Sequence, residues 1–340
     1  MKHRNDPSWA GSLKSYPANG KTELSPCEEL VDSTLFEWYA EKHRAPSLQE
    51  ISLINSAAVP DCPHCGSGDF VKDGRRRDGV QKYLCNRCGS RFNPLTGTVL
   101  DSHKIPVSEW VEYLMHLFEF HSVTTSARDN RNAMTTGFYW LRKVFAVLDG
   151  CQDGVVLSGR VWIDEAYVSV DKEMRHTTDG KSLRGISRDK IAICTATDGK
   201  SLYIVAEWAS KPSKSRTYGL LKDRIAPGST LVHDGDNSHS LLIKELGLES
   251  ELHPTSETKG MRDADNPMDE VNAVHALLKA FLRSHASFKR KDLQGWLNLF
   301  WFIWSDPPSR AEKVAKFIEM AVSERKRIKY RDVYGKKLDK

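Results

Sequence analysis

What the sequence lacks sets its first limits. No apolar run approaches the roughly 18–20 residues that a membrane-spanning helix needs. The opening stretch, MKHRNDPSWAGSLKSYPANG, has no apolar core of the kind a secretory leader carries. A cytosolic setting is therefore expected, with no membrane partner. Cysteine is scarce, seven in 340 residues, and in a reducing compartment these read as metal ligands or free thiols rather than disulfides. No internal repeat is visible. Apolar residues make up only 39%, so part of the chain is expected to be loosely held. Residues 1–26, rich in Ser, Pro, Gly and Asn, are expected to be disordered.

What is present is unevenly charged. The net charge of +5 favours a polyanionic partner only weakly, but its distribution says more. Residues 71–91 carry seven Lys and Arg against two Asp, and residues 310–340 carry eleven against five acids. The length predicts two or three domains. Residues 27–60 read as helical, through CEELVDSTLFEWYAEKH and SLQEISLINS, with Ser47 as N-cap and Glu50 completing a capping box. A cysteine module follows at 61–95, a helical module at 106–150, an α/β domain at 158–305 and a basic helical tail at 306–340. The Trp and Phe residues of KDLQGWLNLFWFIWSD are expected to pack on a core.

The cysteine module carries the most specific signal. Cys62, Cys65, Cys85 and Cys88 stand as C-x2-C-x19-C-x2-C, the spacing of a four-thiolate structural zinc site. Each C-x-x-C turn aims two sulfurs at one ion, and Gly66 and Gly89 permit the left-handed backbone that follows. His64 lies inside the first turn and is the weaker alternative ligand. Cys27 and Cys151 are isolated, and Cys194 reads as a buried core thiol. One zinc ion in a closed thiolate site would be structural, not catalytic. Arg75, Arg76 and Arg77 at the hairpin tip, with Lys82, Arg87 and Arg91, form a candidate surface for DNA phosphate.

In the helical module, VSEWVEYLMHLFEFH has apolar residues at helical spacing, with Ser108 as the expected N-cap. A short helix, a turn near Asn130–Asn132 and a longer helix from Thr135 then outline a helix-turn-helix. Thr135, Thr136, Tyr139, Arg142 and Lys143 are its candidate DNA-facing residues. A plain helical connector is the alternative.

From residue 160 the expected order is three strands, then helix, strand, helix, strand, helix, with the first hairpin turned at Asp198-Gly199. This is a ribonuclease-H-like mixed sheet with flanking helices, an α/β fold. Asp164 sits within an apolar strand, where a charge is costly unless paired or metal-bound. Asp234 ends the fourth strand, which neighbours the first in this fold. Two carboxylates brought together at a strand edge favour a divalent cation, and two Mg²⁺ or Mn²⁺ ions about 4 Å apart are a known arrangement for phosphodiester chemistry. Glu165 points to the other side of its strand, and Asp236 is the alternative second acid. The segment DKEMRHTTDGKSLRGISRDK reads as a polar, basic loop that orders on DNA.

These residues together resemble the DDE-type transposases of bacterial insertion sequences that begin with a zinc ribbon. The likeness spans about residues 60–305, through the ribbon cysteines, FNPLTGTVL, VWIDEAYV, LVHDGD and the last helix of the α/β domain. It implies an enzyme that binds the terminal repeats of its own element, hydrolyses a phosphodiester to free a 3′-OH, and directs that hydroxyl at target DNA. It also implies assembly as a homo-oligomer on paired double-stranded ends, within the bacterial cytoplasm and nucleoid. Carried over by position, Asp164 and Asp234 are the first two acids. Many relatives have Glu seven residues before a basic residue on the last helix. Aligning on LLK puts Asn272 there, with Lys279 seven residues on. The resemblance is therefore to an Asp-Asp-Asn-Lys variant, with Asn272 offering a neutral oxygen to the metal and Lys279 contacting phosphate. Asp269 and then Glu270 remain rivals to Asn272, and His275 on the same face reads equally as a DNA contact or a structural histidine. The substitution also leaves open a zinc-ribbon and helix-turn-helix regulator with an inactive nuclease-like domain, or a nuclease that stops at hydrolysis.

Overall fold

The computed structural model describes residues 25–27, 30, 46–101, 106–178, 181–183, 185–285 and 288–335. The disorder expected of residues 1–26 and the helix expected of CEELVDSTLFEWYAEKH fall almost wholly outside them. Two compact units emerge: one draws on Met1–Met115 with Phe317–Lys340, the other on His116–Lys316. The stretch expected as a separate basic tail therefore divides, and its later part belongs to the unit of the cysteine module.

In the first unit, α1 (Leu48–Ser56) starts as the sequence predicts, with Ser47 Oγ accepting the Glu50 N–H at 3.2 Å. The expected capping box does not close. The Glu50 carboxylate accepts instead from Val107 N–H at 2.7 Å and from the Ser108 hydroxyl at 3.2 Å. The reason is the start of α2 (Ser108–Phe118), whose unsatisfied N–H groups and positive dipole end draw a carboxylate. Ser108 is thus the first helical residue and a donor to Glu50, not the accepting cap. The strands β1 (Phe70–Arg75), β2 (Gln81–Cys85) and β3 (Arg91–Phe92) form an antiparallel sheet. Phe70, Tyr83 and Phe92 pack ring to ring at 5.4–5.5 Å beneath it. Asn55 straps α1 to the hairpin by donating to Gly79 O and accepting from Gln81 N–H. From the far end of the chain, Arg325 donates to Thr96 O and Asp61 O, and Arg327 pairs with Asp101 at 2.7 Å.

In the second unit, α3 (Val123–Asp129), capped by Ser122, and α4 (Met134–Val147) lead into a five-stranded sheet. Its strands are β4 (Arg160–Ser169), β5 (Lys190–Thr197), β6 (Leu202–Ala206), β7 (Thr230–His233) and β8 (Glu249–Leu252). Their order is β8-β7-β4-β5-β6. The pairs β4–β5 and β5–β6 are antiparallel, while β4–β7 and β7–β8 are parallel. A three-strand meander extended by two parallel strands on the far side of its first strand is the ribonuclease-H-like topology. The hairpin dipeptide Asp198-Gly199 stands between β5 and β6, with Asp198 accepting from the N–H groups of Lys200 and Ser201.

Strand alternation decides what each face of β4 meets. Val161 and Ile163 are fully buried with Leu221 of α5 (Lys214–Leu221), Leu242 of α6 (Ser240–Leu246) and Leu231, each such side chain contributing about 1.5–3 kcal/mol of burial. Trp162 turns the other way, towards Val232, Met268 and Val271 at the start of α7 (Asp269–Ser284). Its indole N–H donates to Pro267 O at 2.8 Å, which anchors that end of α7 to β4. The aromatic helix α8 (Leu293–Trp304) is buried as expected. Gln294 of α8 accepts from Ala206 N–H, and Gln152 both accepts from and donates to Ile204, so the free edge of β6 is covered by amides.

Candidate active site and metal centres

The register of the sheet brings the two predicted aspartates together. Trp162 on β4 is the parallel partner of Val232 on β7. Two residues on in each chain stand Asp164, on the Trp162 face of β4, and Asp234, just past the end of β7. The ladder stops at Trp162–Val232, and Asp234 belongs to the turn that leaves the carboxyl end of β7. That face is the one covered by α7, away from the apolar core beneath the sheet. Asp164 keeps 27% of its side-chain surface open, and Asp234 is half-buried. Hard carboxylate oxygens at a strand edge, still reachable from solvent, fit a divalent cation such as Mg²⁺.

The turn after Asp234 is built to hold it. Asp234 Oδ1 accepts from Asp236 N–H at 3.0 Å, and Asp236 in turn accepts from Ser238 N–H at 2.8 Å. Burial would raise the Asp236 pKa, but the Ser238 N–H and hydroxyl outweigh it and hold the carboxyl below its usual range. Asp236 therefore serves the turn as a cap. His233 Nδ1 accepts from Gly235 N–H, which leaves Nε2–H to donate to Ser250 Oγ at 2.9 Å.

On α7, His275 faces Asp164. It is 4% exposed, and its Nδ1 lies 3.5 Å from Asp164 Oδ2, while its Nε2 is buried without a hydrogen-bond partner. Asn272 and Lys279, one turn before and one turn after on the same face, are both exposed. Among the described residues no hydrogen bond joins Asn272 to Asp164 or Asp234. Asp269 is half-buried at the first turn of α7. The Glu270 carboxylate lies beside Gly199, at the amino end of β4 and away from the aspartates.

Glu165 takes the opposite face, as alternation requires, and its surroundings were not foreseen. Its Oε1 lies 3.3 Å from Nε2 of the fully buried His239. Glu165, Cys194 and Glu207 each bring one ligand-type atom within 4.8 Å of the others. Burial and the neighbouring Glu165 push Glu207 up to about 7, against the pull of Arg216 at 3.7 Å. Burial lowers the His239 pKa, but the hydrogen bond and charge of Glu165 outweigh it, so the imidazolium is favoured. The sequence did hold a signal: Glu165 is in phase with Val161 and Ile163, so a charge there had to find partners in the core.

The four predicted cysteines converge. Cys62 Sγ is 3.8 Å from Cys88 Sγ, Cys65 Sγ is 3.6 Å from Cys85 Sγ, and all four sulfurs lie within 4.8 Å of one another. Gly66 and Gly89 have φ of 70° and 69°, and their N–H groups return to the carbonyls of Cys62 and Cys85. Ser90, through its hydroxyl and its backbone N–H, pulls the Cys88 thiol down to about 6. A thiolate-rich set of four donors fits zinc. His64 is not part of the cluster.

Of the candidate DNA contacts, Arg75, Arg76, Arg77 and Arg87 are exposed and Lys82 is half-buried. Arg91 is held by Asp73 at 2.7 Å. In the helical module Thr135 is exposed, with Thr136 and Tyr139 half-buried. Lys143 is a correction. It is 3% exposed, with its ammonium 4.7 Å from the Tyr139 ring centre, because it is in phase with the buried Trp140 and Val147 of α4. Arg142 makes a two-pronged pair with Asp292 and keeps 34% of its side chain open. The polar loop after β4 is also tied down at its base, where His176 and Asp189 meet at 2.6 Å and Arg290 N–H donates to Asp171.

No protein-family model matches the chain. Over 278 residues it is 24% identical to an uncharacterized protein in transposable element ISH50 of Halobacterium salinarum, covering 77% of this chain and 90% of that one. That organism is archaeal, so the likeness extends beyond bacterial elements. Among solved structures the chain is loosely similar to the catalytic domain of Mos1 mariner transposase, with a TM-score of 0.29 and 13% identity over 54% of this chain and 94% of that one. It is similarly close to the Mos1 strand transfer complex, with a TM-score of 0.29 and 12% identity over 92% of this chain and 89% of that one.

Proposed function

We propose that this chain is a DNA transposase that binds the terminal inverted repeats of its own element and performs metal-dependent cleavage and strand transfer. The observation that carries this reading is the pair Asp164, within β4, and Asp234, at the carboxyl end of the adjacent parallel strand β7 in a ribonuclease-H-like sheet, where α/β sites form. A relative from a transposable element, matched along most of both chains, adds independent support.

Asp164 and Asp234 would hold divalent ions, Mg²⁺ or Mn²⁺, which would supply Lewis-acid chemistry to phosphodiester transfer. The remaining roles fall to the chain. Asp164 and Asp234 offer the charged oxygens. Asn272 contributes a neutral one, so the protein supplies one negative charge fewer than an all-acid triad, and substrate phosphate makes up the balance. Lys279, exposed on the same face of α7, grips phosphate beside the scissile bond. His275, behind Asp164, keeps that carboxylate turned towards the site. The four-cysteine module, holding one structural zinc, presents Arg75, Arg76, Arg77 and Arg87 to the DNA backbone, and Thr135, Thr136 and Tyr139 face DNA from the helical module. A homo-oligomer on paired ends then directs the freed 3′-OH at target DNA.

The test uses full-length protein, DNA carrying the repeats that flank its coding region, and Mg²⁺. Asp164→Ala and Asp234→Ala are expected to abolish nicking and strand transfer while band-shift binding to the same DNA persists. Wild-type nicking by either variant overturns the assignment. Cleavage without joining favours a hydrolytic nuclease, and flanking DNA without inverted repeats counts against a transposase.

A further inference from the structure

A second group of metal-type ligands stands apart from both the cysteine module and the aspartates. His116 lies in the last turn of α2, His121 just past its end, and Asp129 at the end of α3. One ligand atom from each lies within 4.8 Å of the others. The two imidazole rings are 5.2 Å apart, and His116 Nδ1 is 3.7 Å from Asp129 Oδ2. That is too long for a hydrogen bond.

One nitrogen of each ring lacks a hydrogen bond. His116 Nδ1 and His121 Nδ1 are both shut off from solvent, and neither has a hydrogen bond. A buried polar atom in that state is unusual and calls for an unseen partner. One ligand atom from each of these two rings converges with the Asp129 carboxylate, and such a set suits a partner that accepts lone pairs, a cation. Nearby, Glu119 lies 3.9 Å from His121 Nε2 and is itself paired with Arg310.

The backbone builds this corner locally. Phe120 adopts a left-handed φ of 65°, costly for a large side chain, and its ring packs on Phe281 at 5.0 Å. That turn folds the chain back so that His121 N–H reaches His116 O at 3.1 Å. All three ligands come from one short stretch, H-x4-H-x7-D, so the site needs no distant element to assemble.

We propose that His116, His121 and Asp129 form a binding site for a transition-metal ion that clamps the end of α2 to the end of α3. Two imidazoles and one carboxylate suit Zn²⁺, Co²⁺ or Ni²⁺, whereas Mg²⁺ and Ca²⁺ prefer all-oxygen sets. Three protein ligands leave an open position for water.

The experiment takes untagged full-length protein carrying Asp164→Ala, with zinc retained at the cysteines, and titrates Co²⁺ while recording visible absorption. One further equivalent of Co²⁺ is expected to bind, with weak visible bands and no sulfur-to-metal charge-transfer band. His121→Ala and Asp129→Asn, both at part-exposed positions, are each expected to weaken that binding about a hundredfold or more, since even outer partners of metal ligands matter 10–100-fold. Retention of the far-ultraviolet circular dichroism spectrum establishes that each variant is folded. Equal Co²⁺ affinity in the parent and in a folded His121→Ala variant overturns the site. So does a charge-transfer band, which would place the cobalt on sulfur.

Discussion

Nδ1 of His275 faces Asp164 at 3.5 Å, while Nε2 is closed off with nothing to bond. Among the described residues, it is the side chain of α7 that forms an ion-pair contact with the first aspartate. Helical spacing could list Asn272, His275 and Lys279 as one face, but it could not say which turn of the helix would come level with Asp164. That depends on how α7 is anchored, and the anchor, Trp162 to Pro267, joins residues far apart in sequence. His275→Ala is expected to reduce DNA cleavage about 10–100-fold with DNA affinity retained. Asn272→Ala is expected to weaken the metal dependence more than Asp269→Ala does, and the reverse order in a Mg²⁺ titration of cleavage would move the third position to Asp269. Lys143 differs from its expected exposure for a related reason: a lysine at helical spacing reads as exposed, and here the packed face of its own helix claims it.

Glu207 gives a residue-scale prediction that needs no substrate. Its folded pKa of about 7 stands above the ordinary glutamate value. Below the ordinary value both folded and unfolded forms are protonated, and this stability is fully present. As pH rises, the unfolded chain ionises first and stability is lost, until the folded form also ionises near 7. Unfolding free energy should therefore fall by roughly 1–3 kcal/mol between about pH 4.5 and 7 on account of this residue. Glu207→Gln should flatten that slope in urea melts at several pH values. An unchanged slope would mean that Arg216 already neutralises the carboxylate.

At the scale of elements, the join between α3 and α4 is the most sharply constrained. A Cβ on Gly137 would stand 2.6 Å from Ala127 Cβ and 3.4 Å from Val123 O, so the two helices touch nearly backbone to backbone. Gly137→Ala is expected to cost about 1–3 kcal/mol through overpacking, despite the better helix propensity of alanine, as measured by chemical denaturation. An unaltered midpoint would show that the helices part freely. Local elements were the most readable in the sequence: the hairpin at Asp198-Gly199 and the C-x-x-C turns each depend on residues within a few positions. Glu50 shows the opposite case. It had the right spacing for its own helix, yet a charged helix start 57 positions away offered it more donors.

The whole molecule is two units, and metal should stabilise them unequally. Stripping zinc with a strong chelator is expected to unfold the cysteine-bearing unit, where Cys62 and Cys85 are almost fully buried and the aromatic cluster is small. The ribonuclease-H-like unit should keep its thermal transition. A single transition lost all at once would mean that the two units unfold together.

The first unit is also discontinuous. Arg325 and Arg327 reach Asp61, Thr96 and Asp101 from beyond the whole of His116–Lys316. On the ribosome this has a consequence in time. At roughly 5–20 residues per second, the cysteine hairpin waits for the entire sheet to be synthesised before its last contacts exist. A chain cut short after residue 324 would thus carry Asp164, Asp234 and every cysteine, yet leave this unit unfinished. Pulse-labelled nascent chains of increasing length should show protease resistance around residues 61–101 only after Arg325 and Arg327 have emerged.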